Sequence, residues 1–81
     1  MMNDKVFIVD HADDEGQELC GVYSTYDKAL AKAKALAETE LGSLDDVYST
    51  KVSISGDQVY VQLLADDHPV EAWIVSEVEV E

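Results

Sequence analysis

Arginine is absent from this chain of 81 residues, and five lysines supply all of its permanent positive charge. Without guanidinium groups the protein lacks the bidentate grip that usually holds phosphates and carboxylates. A single cysteine, Cys20, excludes an intrachain disulfide and suits a reducing compartment. Long apolar runs are also missing. After Lys5 the run Val6 to Val9 is closed by Asp10, far too short for a signal peptide or a membrane span. A cytoplasmic location is therefore expected, the host's cytoplasm if the chain is phage-encoded. No phosphate-cradling glycine loop, serine elbow or zinc spacing occurs, nor any internal repeat or linker.

What is present in excess is acid. Eighteen Asp and Glu give a formal net charge of −13, while 47% of the residues are apolar. The apolar content marks a folding sequence, not a disordered acidic tail. The charge should repel nucleic acid and anionic membranes, so neither is expected as a direct partner. A chain this short makes one domain, residues 1–81, with a single core.

The chain is organised around Ser24 to Leu41, STYDKALAKAKALAETEL. Tyr26, Ala29, Leu30, Ala33, Leu36 and Ala37 recur at three- and four-residue steps and predict one apolar helix stripe. Ser24 with Asp27 reads as a capping-box variant, and Gly42 as the left-handed residue that ends the helix. Strands are expected at 5–11, 17–23, 47–55, 58–65 and 70–80. The first pair forms a hairpin with a five-residue loop, and Gly56-Asp57 a two-residue turn with Gly at its first central position. The unbroken Val6–Val9 run predicts burial on both faces and hence an interior first strand. Gly21 allows a bulge or a close approach.

The order β-β-α-β-β-β predicts an α+β fold, a two-layer sandwich with a five-stranded, largely antiparallel sheet and one helix on one face. Alternating directions place the first strand beside the second and third, in spatial order 2-1-3-4-5. They also gather three loops at one end, carrying Asp13, Asp14 and Glu15, then Asp45 and Asp46, then Asp66 and Asp67. The helix C-terminus, with Glu38 and Glu40, points the same way, where its dipole makes acids unfavourable. On the last strand, Glu77, Glu79 and Glu81 form an outward carboxylate ladder along a sheet edge, with Ala72, Ile74, Val78 and Val80 inward. Trp73 shares the outward face and reads as a contact anchor.

Catalytic chemistry is not evident. Asp10-His11 and Asp67-His68 fall at the acidic end, but their spacing matches no metal motif, and no metal or cofactor is expected. Cys20 has no His or Lys neighbour in sequence and reads as a small core residue, not a nucleophile. The run VFIVDH, an acidic turn, then LCGVYSTYDKALAKAKALAE resembles small uncharacterised domains of bacteria and their phages. In those a strand leads to "GvYss" and an alanine-rich helix. The resemblance covers residues 5–38, with Gly21, Tyr23 and Ser24 at a strand-to-helix corner, and implies no activity. In size and acidity the chain is also similar, by physical class only, to phage-encoded inhibitors that mimic DNA.

The expected function is a non-enzymatic one. A small acidic inhibitor would mimic nucleic-acid charge and block a basic groove on a host defence or DNA-processing protein. Its expected contact residues are Asp13, Asp14, Glu15, Asp45, Asp46, Asp66, Asp67, Trp73, Glu77 and Glu79. The alternative is an accessory or structural domain, a homodimer joined through sheet edges, whose acidity serves solubility alone. Self-repulsion reaches about 10 Å at 0.1 M salt. A few hundred millimolar salt should therefore raise the melting temperature; a salt-insensitive value would show carboxylates too dispersed to act together.

Overall fold

The computed structural model describes residues 4–44 and 46–80. Asp4–Asp13 forms β1 and Gly16–Tyr23 forms β2, followed by α1 at Tyr26–Leu41. Then come β3 at Tyr48–Ser55, β4 at Gln58–Ala65 and β5 at His68–Val80. The five strands make one antiparallel sheet in the order β2-β1-β5-β4-β3, with α1 on one face. The architecture is α+β in two layers, as the element order predicts.

The strand order corrects the expected 2-1-3-4-5. β5, not β3, lies beside β1 and is the central strand. The reason is visible in burial. Trp73, Ile74 and Val75 are consecutive and all buried, as suits a strand flanked by neighbours on both sides. β3 carries Ser49, Thr50, Lys51 and Ser55, all exposed, as an edge strand tolerates. β3 and β5 run in the same direction, so exchanging their places leaves the loops at the ends where the direction count puts them.

α1 starts one residue later than its expected cap. Thr25, not Ser24, is the N-cap, in an extended conformation with its hydroxyl accepting from Lys28 N–H at 3.2 Å. Gly42 is right-handed (φ −63°), not left-handed; its N–H donates to the Glu38 carbonyl at 2.9 Å and simply extends the last turn. Ala29, Ala33 and Ala37 are fully buried along the expected stripe, with Leu30 and Leu36 packed beside them. Having only a methyl at each contact, the helix lies close on the sheet, and larger side chains from below fill the space. Phe7 and Tyr26 meet edge-to-face at its start, ring centroids 6.0 Å apart.

The helix-facing side of the sheet presents Val9 from β1, Val59, Val61 and Leu63 from β4, and Trp73 and Val75 from β5. Trp73 is 5% exposed. Its expected outward position is wrong, and so is the inward set Ala72, Ile74, Val78. The alternation is shifted by one residue, which exchanges the faces of the whole strand. Glu71, Glu77 and Glu79 share the helix-facing side of a strand that outruns the helix. Sixteen residues of α1 span about 24 Å, and thirteen of β5 about 43 Å. Glu77 and Glu79 are exposed, and Glu71 is half-buried against His11.

Among the described residues no layer covers the other face of the sheet. Val22 and Leu19 of β2, Val6 and Ile8 of β1, and Ile74 and Val78 of β5 make its apolar half. Tyr60 and Gln62 of β4 with Ser53 and Lys51 of β3 make its polar half. Cys20 is left without a partner where the β1–β2 register shifts between Val9 and Asp10, and it is exposed, not core. Beside this bulge the ring of Tyr23 lies over Gly21, where an added Cβ would stand 2.7 Å from its Oη.

Trp73 fills the gap that three alanines leave, so Trp73→Ala should cost about 3–5 kcal/mol. Urea unfolding monitored by circular dichroism measures this; a loss below about 1 kcal/mol would contradict the buried position.

Candidate functional site

The site is the end of the sheet at which β1 and β4 finish. β1 and β2 are joined there by Asp14-Glu15, two residues where the sequence suggests five, because both strands extend further than expected. The Asp13 carboxylate accepts from Glu15 N–H at 2.9 Å and stiffens that turn. β4 and β5 are joined by Asp66-Asp67, both with positive φ (56° and 68°). Two left-handed residues in a two-residue hairpin make a type I′ turn, normally the place of Asn-Gly. Asp66 N–H donates to the Val47 carbonyl at 2.9 Å, which ties this turn to the segment entering β3.

The structure therefore brings Asp13, Asp14, Glu15, Asp46, Asp66 and Asp67 to one end. Glu18, Glu71 and the helix-terminal Glu38 and Glu40 join them. The loops of that end hold no lysine: Lys5 lies at the far end, Lys28, Lys32 and Lys34 on the helix, and Lys51 on edge strand β3, in the row of Ala12. Glu77 and Glu79 do not belong to this group. They pair with Phe7 and Lys5 near the start of β1, at the opposite end of the domain, and Glu77 meets the Lys5 ammonium at 3.4 Å. The expected edge ladder is thus a stretch of the central strand. Trp73 is core and offers no contact surface. Asp45 and Glu81 lie outside the described residues.

Between the turn and the core sits His11, which sequence reasoning left unassigned. Its ring lies against Trp73, centroids 5.0 Å apart and tilted by 30°, and Nε2 is 3.1 Å from Glu71 Oε1. Register explains the meeting: His11 is paired with Trp73 across β1 and β5, and Glu71 precedes Trp73 by two residues on the same face. An open cleft of about 340 Å³ adjoins it, lined by His11, Asp13, Glu15, Gly16, Gln17 and Glu18. His11, Asp13 and Glu71 offer ligand atoms within 4.8 Å of one another. A tetrahedral ion with bonds of about 2.1 Å needs donors about 3.4 Å apart. Within this set His11 and Glu71 are already engaged with each other through their hydrogen bond.

Partial burial, and then Glu18 and Asp10, push the Cys20 thiol up from its ordinary value. A raised thiol is protonated at neutral pH, the reverse of an activated nucleophile. Among the described residues no helix is long and apolar enough to cross a membrane. No family model matches the chain, and no curated protein or solved structure matches it either.

Asp66 and Asp67 both hold a backbone conformation that costs L-residues without a compensating side chain. Replacing them together, Asp66→Asn with Asp67→Gly, should stabilise the protein by about 1 kcal/mol, through the turn and the removal of two like charges. The urea midpoint should rise with an unchanged m-value; a lower midpoint would mean that the aspartates support the turn.

Proposed function

We propose that this protein is a non-catalytic binding module whose acidic end docks on a basic, nucleic-acid-binding surface of another protein and inhibits it. The observation that carries the reading is the segregation of charge. Acids from all three loops and from the helix C-terminus share one end, and none of those loops holds a lysine. A single acidic turn is ordinary solvation, but this arrangement works against the fold. Glu38 and Glu40 face the negative end of the helix dipole, each unfavourable by about 0.3–1 kcal/mol. Asp66 and Asp67 occupy left-handed positions better suited to Asn-Gly.

The docking surface is the sheet end and not the face of a strand. With neighbouring strands about 4.8 Å apart, the carboxylates are set across roughly 20 Å. Such a row offers a basic groove the charge that a short stretch of backbone phosphates would supply. The resemblance to DNA-mimicking phage inhibitors supports the same reading at the level of physical class.

Immobilised protein incubated with bacterial lysate at low salt should retain a protein that duplex DNA or added salt releases. The variant Asp13→Asn, Asp14→Asn, Asp66→Asn, Asp67→Asn should fold and lose that protein. Glu77→Gln with Glu79→Gln, at the other end, should keep it. Retention that ignores both DNA and the four substitutions would eliminate the mimic.

A further inference from the structure

We infer that the uncovered face of the sheet is a self-association surface, on which a second copy of this chain packs sheet against sheet. The first ground is charge. On a protein of net charge −13, almost any surface presented to a second copy repels it. On this face, across the rows from Val6 to Ala12 of β1, the acid among the described side chains is Asp10. Its carboxylate accepts from the Gln17 side-chain amide at 3.2 Å. The face also carries Lys51. It is thus the broad surface on which two copies meet with least repulsion.

The second ground is composition. Val6, Ile8, Leu19, Val22, Ile74 and Val78 lie together over β2, β1 and β5, and Leu19 and Val22 are 60% and 56% exposed. Isolated apolar residues on a surface need no explanation, but a contiguous patch rimmed by Ser and Gln has the anatomy of an interface. Five strands at about 4.8 Å and some eight residues at about 3.3 Å make a face of roughly 500 Å² in projection. That is of the order of the about 800 Å² per partner which a standard interface buries.

Charge also selects the symmetry. A two-fold axis in the sheet plane and parallel to the strands would lay apolar half on polar half and bring the two acidic ends side by side. An axis across the strands stacks apolar half on apolar half and sends the acidic ends to opposite poles. The second arrangement satisfies both the packing and the electrostatics.

Sedimentation equilibrium tests this, and salt separates it from the proposed function. Screening strengthens contact between two like-charged copies and weakens contact between an acidic end and a basic partner. The expected result is a species of twice the 8.9 kDa chain mass whose association tightens as salt rises. Val22→Lys or Leu19→Lys, each at an exposed position, should weaken it at least tenfold with unchanged circular dichroism. Ile54→Lys on edge strand β3, where Ile54 is 75% exposed on the helix-facing side, should leave it unaltered. A monomer at every salt and protein concentration overturns the inference. So does a dimer broken by Ile54→Lys and not by Val22→Lys, which would be joined edge to edge, and so does a dimer that dissociates as salt rises.

Discussion

The contact between Trp73 and the alanine face of α1 is the constraint from which the rest of the structure follows. Ala29, Ala33 and Ala37 bring the helix backbone down onto the sheet, and the largest side chain of the chain rises to meet it. A tryptophan so placed must come from a strand near the middle of the sheet, because one helix covers only the central strands. β5 therefore lies between β1 and β4, and β3, which adds only Tyr48 to the packing against the core, falls to the edge. There Val52 and Ile54 remain exposed, out of reach of the helix. The same contact fixes the β5 register, which sends Ile74 and Val78 to the opposite face and leaves that face apolar and uncovered.

Electrostatics works against this core throughout. Among the described residues the lysine–carboxylate pair is Lys5–Glu77, which is half-exposed, the kind of pair worth little in water, and His11–Glu71 is a hydrogen bond. Among the described residues no other carboxylate lies within 4.0 Å of a lysine or histidine nitrogen. Grouping them at one end concentrates the repulsion where the backbone is turn and loop, away from the buried strands. Among the described residues no polar or charged residue is buried in the core. Stability and charge are in this way assigned to different parts of a small protein. The middle of the sheet holds it together, and the loop end carries the field.

The fold class was legible in the sequence because its signals were local. The alanine stripe, the Gly56-Asp57 turn and the alternation in β4 each announce one element, and strand directions follow from counting them. The order of strands was not legible, because the clue lay in comparing two runs. Val6–Val9 was read as an interior strand, yet Trp73-Ile74-Val75 carries the same unbroken apolar signature. The register of β5 failed for a related reason. Ala72, Ile74 and Val78 alternate as regularly as Trp73 and Val75, so period alone favours neither face. Side-chain volume against a helix of alanines decides between them. His11 was invisible for want of that register, since nothing local pairs it with Glu71, sixty residues away. The acidic end survived the error in strand order because β3 and β5 run in the same direction, so exchanging them moves no loop to the other end.

The two surfaces are linked by geometry. The acidic end lies at the tips of the strands, whereas the apolar face is the flat of the sheet, so occupying one leaves the other free. In the stacked dimer with its axis across the strands, the two acidic ends point in opposite directions. A single basic groove then cannot hold both ends at once, and dimerisation gives no chelate gain in affinity for one site. It instead presents two independent ends able to engage two separate partners. Rising salt would lengthen the life of the dimer while shortening that of each docked complex, so the balance between them is set by ionic strength. A single charge distribution, dense at the tips and nearly absent from the flat of the sheet, would thereby govern both proposed contacts with opposite sign.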